Sequence, residues 1–319
     1  MCDKTEDANA ELTVIIVSYN TRELTLKALS TLFENTHKTD MDVVVIDNAS
    51  ADGSAEAISK QFPQANLIQS KENLGFAKAN NVVAANVKSE WLLLLNPDTE
   101  VHDSAVDNLL DFARSNPEAG IYGGRTVFPD GSLNSASCWM KITPWSAFCN
   151  AFGLSAIFKN SETFNSEAMG GWRRDSVRKV DIVVGCFFLI PKSLWDQLGG
   201  FDLKYYMYGE ESDLCLRAAR MGYQPMITPE AEIMHIVGAA SKTQGGKLVL
   251  VAKARVTLIR DHWNRSLVPI GLLLMWSWSA VRLIGFTMLN IINNNNISRQ
   301  KLRAWREVWE ARHQWLKGY

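Results

Sequence analysis

Trp91-Leu92-Leu93-Leu94-Leu95-Asn96-Pro97-Asp98-Thr99-Glu100 is the stretch on which the fold turns. Five consecutive apolar residues without polar alternation read as a strand covered on both faces, the pattern of a parallel sheet rather than of a surface hairpin. Asn96-Pro97-Asp98 then breaks the chain and delivers two oxygen-bearing side chains, two residues apart, to the sheet edge. Such a pair can hold a hard cation, Mg2+ or Mn2+. The competing reading is that Asp98 caps the helix expected over 104–115.

Working outward, residues 12–17 form a second β-branched run, followed by Asn20 or Thr21 as a helix cap and a helix over 22–34. Residues 43–46 give a short buried strand. The turn-rich Asp47-Asn48-Ala49-Ser50-Ala51-Asp52-Gly53-Ser54 follows, and then a helix to about residue 62. A weak strand over 66–69 and a helix over 76–87 lead into the leucine strand. This rhythm argues a parallel, doubly wound α/β sheet with right-handed crossovers. Downstream, 130–178 lacks periodicity and reads as an irregular, substrate-facing segment. Residues 180–190 read as a strand, 210–221 as a helix, and 224–228 and 232–236 as two short strands. Polar loops follow the strands at 18–20, 47–54 and 96–98, the carboxyl ends where open α/β sheets bind ligands.

No GxGxxG follows the first strand and no GxxxxGK[ST] occurs, so dinucleotide-dependent hydride transfer and P-loop chemistry are unsupported. The first strand ends instead in Ser18-Tyr19-Asn20. Asp47 ends the second, where a carboxylate can accept hydrogen bonds from a ribose or a base edge; an Asx-rich turn is the plainer reading. In Glu72-Asn73-Leu74-Gly75-Phe76-Ala77-Lys78-Ala79-Asn80-Asn81, Gly75 opens a helix whose amides can face a ligand, and Asn73 can cap it. Asn80 and Asn81 are poor helix formers placed mid-helix, so one is expected to point its amide at a ligand or a loop. Tyr208-Gly209-Glu210-Glu211-Ser212-Asp213 puts three acids at a helix start, where the dipole alone would favour them. After the aromatic run Phe201, Tyr205, Tyr206 and Tyr208 they look more like a site, since a displacement at an anomeric carbon needs a base. His235 ends a strand, followed by Gly238 and Ser241. It is either structural or part of a metal shell.

The chain has 319 residues and a net charge of −1, unevenly spread. Residues 241–319 carry 13 Lys/Arg against three acids, a net +10, which leaves the first 240 residues at −11. Six of the eleven tryptophans lie in that tail. Between 267 and 292 the only charge is Arg282, so the segment is long enough to cross a bilayer, to lie in its interface, or to pack as a core helix. Tryptophan beside Lys/Arg suits a lipid boundary, and membrane association is expected. The five cysteines show no CxxC pair, which argues against zinc or a disulfide framework. The polar, acidic start has no signal-peptide core, so the reducing cytoplasm is expected.

Taken in order, the segments 14–20, 45–54, 72–81, 94–100, 184–191, 199–202, 208–217 and 235–241 resemble the inverting glycosyltransferases of family 2, with the GT-A fold, and are most similar to the rhamnosyltransferase-like branch. The resemblance covers about 12–241. It implies a doubly wound mixed sheet over 1–241, while the basic, tryptophan-rich composition of 242–319 reads as a C-terminal helical, membrane-associated extension. It also implies a nucleotide-sugar donor contacted by Ser18, Asn20, Asp47, Asn73, Gly75, Asn80, Asn96 and Gly185, with Asp47 reading the base. Asn96-Pro97-Asp98 resembles the DxD-type motif, with Asp98 and His235 as ligands of a divalent metal. Asp181 and 185–188 resemble the wall near donor sugar and acceptor. Glu210-Glu211-Ser212-Asp213 stands where the family shows Glu-Asp-x-Asp. Glu211, or else Glu210, is therefore implied as the base, with Asp213 in the same catalytic cluster and, with Arg217, in a bracing role.

The expectation is an inverting, metal-dependent transfer of a sugar, rhamnose from dTDP-rhamnose first and another dTDP- or UDP-sugar otherwise, onto a polyprenyl-linked or other glycan acceptor. The expected setting is the cytoplasmic face of the inner or plasma membrane, with no nucleic-acid partner. A processive synthase is disfavoured by the lack of Gln-x-x-Arg-Trp and of several spans. From another class, a catalytically inactive membrane-bound scaffold that binds a nucleotide sugar is the alternative, argued against by intact Asp98, Glu211 and His235.

Overall fold

The structure is a computed structural model that describes residues 10–236, 244–293 and 295–319. Its first half alternates β1 (Leu12–Ser18), α1 (Arg22–Asn35), β2 (Met41–Asp47), α2 (Ser54–Gln61), β3 (Asn66–Gln69), α3 (Gly75–Ala84), β4 (Trp91–Leu95), β5 (Thr99–Val101), α4 (Ala105–Ser115) and β6 (Tyr122–Val127). The second half continues with β7 (Leu133–Asn134), β8 (Cys138–Trp139), α5 (Pro144–Ala151), α6 (Leu154–Ile157), β9 (Arg178–Lys179), β10 (Ile182–Val183), β11 (Phe187–Pro191), α7 (Lys192–Leu198), α8 (Glu210–Arg220) and β12 (Met226–His235). Four helices follow: α9 (Gln244–His262), α10 (Val268–Ile292), α11 (Asn296–Glu310) and α12 (Arg312–Trp315).

The main sheet runs β3-β2-β1-β4-β11-β6-β12-β5. The pairs β3/β2, β2/β1 and β1/β4 are parallel. β11 then runs antiparallel to both β4 and β6, so the sheet is mixed. β4 lies at the centre, and its leucines Leu92 to Leu95 are at most 1% exposed. Each contributes about 1.5–3 kcal/mol of burial. One core packs the sheet against α1, α2 and α4, the other against α3, α7 and α8, as a doubly wound α/β layering requires.

Three local expectations are corrected. The stretch 180–190 is two strands, β10 and β11, because the Val184 amide turns away to the Ser137 carbonyl (3.0 Å). Residues 224–228 and 232–236 are one strand, β12, whose register on β6 shifts between Thr228 and Glu232. Pro229 cannot donate to the ladder, so the bulge falls on it. Gly124 opposite is obligatory there, since a Cβ would lie 2.0 Å from the Ala231 carbonyl oxygen. Finally, 130–178 is not wholly irregular. Thr143 and Ser146 form a reciprocal capping box with Pro144 in the first turn, and α5 follows from it.

The C-terminal helices form their own core around Val256, Ile259, Met275, Trp305, Val308 and Trp315. They are also tied to the sheet domain. Arg255 pairs bidentately with buried Glu167 (2.8 and 2.9 Å). The Trp263 indole donates to the Ile142 carbonyl (2.9 Å). α10 is long and apolar enough to cross a membrane by length and composition, and only 11% of its most apolar window is buried.

Candidate active site

The parallel strands all point their carboxyl ends the same way, and their loops are laced to one another there. The Asn20 amide donates to Ser50 Oγ (2.9 Å), and Asn20 Oδ1 accepts from the Ala51 amide (2.8 Å). Asn20 holds this position at φ 52°, in the left-handed region that asparagine tolerates. α1 is capped from outside its own sequence: Asp52 Oδ2 accepts from the Arg22 amide (3.0 Å), and neither Asn20 nor Thr21 does that job. The buried Ser18 hydroxyl is taken up by Thr25 (2.9 Å) and Thr21 (3.3 Å).

Asp47 ends β2 almost fully buried. Its Oδ2 accepts from the Ser50 amide (3.1 Å), whereas Oδ1 has no partner. Asn48, which carried no separate sequence signal, stitches β2 to α3: its Oδ1 accepts from the Leu74 amide (2.8 Å) and its Nδ2 donates to the Gly75 carbonyl (3.2 Å). Asn73 Oδ1 accepts from the Gly75 amide (2.9 Å) and shapes the turn into α3. The two mid-helix asparagines divide their work. Asn81 binds both the amide and the carbonyl of Phe201 (2.9 and 2.8 Å). Asn80 donates to the Phe76 carbonyl and leaves its buried Oδ1 unpaired.

Asp98 and His235 meet although 137 positions separate them in the sequence. β12 ends beside the loop after β4, the Ile236 amide donates to the Asp98 carbonyl (2.9 Å), and Asp98 Oδ1 lies 3.3 Å from His235 Nε2. Cys186, which the sequence did not single out, is within hydrogen-bonding reach of His235. Burial works against the imidazolium, but the Cys186 sulfur and the Asp98 carboxylate outweigh it, and His235 is pushed up to about 10. The Asn96 amide donates to the Cys186 carbonyl (3.1 Å), which places Asn96 beside the same loop. Gly185 lies between this loop and α3, where a Cβ would come 3.1 Å from the Phe76 ring.

The acids at the start of α8 have three different environments. Glu210 is 4% exposed, and its Oε2 has no partner. Burial, and then the like charge of Glu211, push Glu210 well above the usual carboxylate range. Glu211 is half-buried, and burial raises it too. Asp213 is the opposite case: Oδ2 accepts from Arg217 Nε (2.7 Å) and Oδ1 meets His262 Nε2 (2.9 Å). Burial would raise it, but His262 and Arg217 hold it lowered. Arg217 in turn donates to the Leu198 and Gly200 carbonyls. The carboxylate of Asp213 is thus fully engaged in bracing α8 against α9 and the 198–200 loop.

One four-residue segment connects these clusters. Cys186 borders Asp98 and His235, while the Val183 carbonyl accepts from Cys215 Sγ (3.9 Å), one turn along α8 from Glu211. Glu211 and Asp181 both act electrostatically on Cys215. Three residues span at most about 11 Å, which bounds how far the Cys186 end of this segment lies from its Val183 end. Asp181 itself accepts from the Lys141 amide (2.9 Å). Gly238 and Ser241 lie outside the described residues.

Nine buried side-chain nitrogen or oxygen atoms lack a partner among the described residues, and four belong to Asp47, Asn80, Glu210 and His235. Buried polar atoms are normally paired. Each of these four is a candidate site residue with a polar atom that the described residues leave without a partner. Among the described residues no group of three or more His, Cys, Asp or Glu side chains is arranged to hold a metal ion. The Asp98–His235 pair nevertheless fits part of a shell, because adjacent ligands 2.0–2.1 Å from an octahedral cation sit about 3 Å apart.

The profile described as Glycosyl transferase family 2 matches residues 13–181. An N-acetylglucosaminyl-diphospho-decaprenol L-rhamnosyltransferase of Mycobacterium tuberculosis is 27% identical over 242 residues, which cover 70% of this chain and 75% of that protein. Rhamnosyltransferase WbbL of Escherichia coli is 27% identical over 172 residues, 50% of this chain and 60% of that protein. Among solved structures, mannosyltransferase PcManGT of Pyrobaculum calidifontis, in complex with GDP-Man and Mn2+, superposes with TM-score 0.59 at 17% identity, covering 97% of this chain and 88% of that one. GalNAc-T7 with UDP, GalNAc and Mn2+ does so with TM-score 0.52 at 14% identity, covering 83% of this chain and 54% of that one. The likeness of these two structures is one of fold.

Proposed function

The chain belongs to glycosyl transferase family 2 and is a glycosyltransferase; from that premise we propose that it transfers rhamnose from dTDP-rhamnose, or another dTDP- or UDP-linked sugar, with inversion, onto a polyprenyl-linked glycan acceptor. The observation that carries this reading is the pairing of Asp98 Oδ1 and His235 Nε2 at 3.3 Å on one end of the 183–186 segment, with the Glu210–Glu211 pair at the other.

In this reading Asp47, through its unpaired Oδ1, accepts from the nucleobase, with Ser18 and Asn20 shaping the loop beside it. Asn73, Gly75, Asn80, Asn96 and Gly185 line the path of the diphosphate and donor sugar. Asp98 and His235, the latter after the entering cation displaces its imidazolium proton, would hold a divalent metal, Mg2+ or Mn2+, which when bound neutralises charge on the leaving diphosphate. Glu211 is the base. It is the more exposed glutamate and shares with Asp181 an electrostatic effect on Cys215, whereas Glu210 is sunk near Tyr319 and stays protonated to higher pH. Two carboxyls whose surroundings set them apart can divide acid and base roles in this way. Glu211 takes the proton of the acceptor hydroxyl, the oxygen attacks the anomeric carbon from the face opposite the nucleotide, and the bond to the diphosphate breaks. Asp213 positions α8 for this step.

Residues 1–241 form the catalytic domain and 242–319 the membrane-associated extension. α10 lies in the membrane interface rather than across it. One side of it is held by protein, since Arg282 reaches the Ala151 carbonyl (3.3 Å) and stacks on Trp278 and Trp305 (5.4 and 5.5 Å). The other side exposes Ile270, Leu273, Ile284 and Met288, and the α5 region packed on α10 through Ala151 exposes Trp145, Phe148 and Phe152. The cytoplasmic face provides both the donor and the reducing setting for the free cysteines.

The test is turnover of purified enzyme with dTDP-rhamnose, Mn2+ and a short polyprenyl-diphosphate-linked N-acetylglucosamine. Metal-dependent release of dTDP together with a rhamnosylated lipid supports the reading. Transfer from a GDP-sugar alone, or metal-independent transfer, overturns it.

A further inference from the structure

Beside the cleft, not over the Asp98–His235 pair, lies a separate cavity of about 300 Å3. Ile182, Leu216, Leu258 and Trp263 give it apolar walls, and Lys141 and Arg220 stand at it with cationic heads. It adjoins the candidate catalytic groups through two elements already described. Ile182 precedes Val183 in the segment that leads to Cys186, and Leu216 and Arg220 belong to the helix that starts with Glu210 and Glu211. At 1.5 Å per residue, Leu216 is about 7–8 Å and Arg220 about 13–14 Å along α8 from Glu211. The cavity meets α8 on the side of Leu216, Ala219 and Arg220, turned away from Glu211 around the helix, and it approaches the glutamates along the 181–183 segment.

The far wall meets the apolar extension. Trp263 packs against α10 at Gly271, where a Cβ would come 2.9 Å from its ring. The first turns of the same helix expose Ile270 and Leu273 on its other faces. Trp263 thus joins the cavity wall to the apolar helix α10. The charges facing the cavity are all accounted for: Arg220 donates to the Asp261 carbonyl (2.8 Å), Lys141 Nζ is 4.0 Å from Asp181 Oδ1, and His262 is engaged by Asp213. Both cationic heads keep N–H donors beyond these contacts.

We propose that this cavity holds the phosphate end and first isoprenoid units of a lipid-linked acceptor, with Lys141 and Arg220 on the diphosphate and Ile182, Leu216 and Trp263 against the prenyl chain. The proposal rests on the acceptor being lipid-linked, as argued above. It assigns that acceptor a site separate from the donor's.

The test uses the full chain and farnesyl diphosphate as probe, with affinity measured by titration calorimetry in the absence of donor. Arg220→Gln and Lys141→Gln are each expected to weaken it about tenfold, the worth of one charge-assisted hydrogen bond. Ala219→Trp, which fills the cavity from an exposed helix position, should abolish binding. With no acceptor present, all three variants should hydrolyse the donor, water taking the sugar, and release dTDP at the wild-type, Mn2+-dependent rate, while transfer to the lipid-linked acceptor falls. Farnesol and inorganic diphosphate should each bind at least about tenfold more weakly than the joined molecule. Unchanged affinity in all three variants, displacement of the probe by dTDP, or equal binding of inorganic diphosphate would each overturn the proposal. Because the readout is binding, such a failure is distinct from a failure of the donor and metal assignments, which would show in dTDP release.

Discussion

Replacing Asp213 by asparagine keeps the side chain's shape and removes its charge, which separates a bracing role from a chemical one. In the native protein both carboxylate oxygens are occupied, by Arg217 at 2.7 Å and His262 at 2.9 Å, in surroundings only 4% exposed. An asparagine can still accept from Arg217 with its remaining oxygen, while its amide can donate to a neutral His262 of the other tautomer. What is lost is the charge assistance, the difference between about 1.5–3 and about 0.5–1.5 kcal/mol for such a bond. Asp213→Asn should therefore cost about 1–2 kcal/mol of unfolding free energy. Asp213→Leu leaves Arg217 and His262 facing a surface that accepts nothing and should cost about 3–5 kcal/mol. Denaturant titrations of the three proteins measure both values. Since the glutamates remain in place, kcat of Asp213→Asn should fall no more than about tenfold, equivalent to about 1.4 kcal/mol. Stability within about 0.5 kcal/mol of wild type combined with abolished turnover would refute the bracing argument and make Asp213 a participant in the chemistry.

Asp98→Ala should lower metal-dependent turnover at least about 10²-fold while leaving the fold intact by circular dichroism, and near-normal activity would remove Asp98 from the metal assignment. Glu211→Gln should lower kcat about 10²–10⁴-fold with donor affinity unchanged; if Glu210→Gln does this instead, the base is the earlier residue. A base works deprotonated, and burial raises Glu211, so the acid limb of kcat should lie above the ordinary carboxylate range; a profile flat down to pH 4.5 would contradict this. Glu210 has a folded-state pKa above its ordinary 4.5, so stability is lost as pH rises from that value through the raised one, and Glu210→Gln should exceed wild type in stability at neutral pH but not below pH 4.5. On α10, the double change Leu273→Asp and Ile284→Asp should weaken liposome binding about tenfold or more while dTDP release continues, and unaltered flotation with vesicles would contradict the interfacial face.

The half of the fold that could be read in advance is the half whose signals are local. The runs over 12–17, 43–46 and 91–95 are apolar on both faces because the sheet is covered on both sides, and each ends in a polar loop at the carboxyl edge, where open α/β sheets bind ligands. The second half was less legible. β12 looked like two strands because a three-residue bulge at Pro229 interrupts its alternation while its pairing with β6 continues beyond. Residues 180–190 looked like one strand because the turn at 184–186 is imposed by Ser137, some fifty positions away, and leaves no breaker of the usual kind except Gly185. Helix α1 takes its cap from Asp52, thirty positions on, so neither Asn20 nor Thr21 could be judged from its neighbours.

By itself the sequence determined the parallel βα frame, the presence of Asp47, Asp98, Glu210, Glu211 and His235 at strand and helix ends, and the basic, tryptophan-rich tail. These follow from hydrophobic period and from the few residue types that can end an element, properties carried over a handful of positions. Only the tertiary structure decided that Asp98 and His235 come within 3.3 Å, that Asp213 is consumed by Arg217 and His262, and that Glu210 is sunk while Glu211 stays half exposed. Distances, burial and the pKa directions that depend on them are set by which distant elements pack together, and adjacent residues of one helix point a hundred degrees apart, so neighbours in sequence acquire different chemistry.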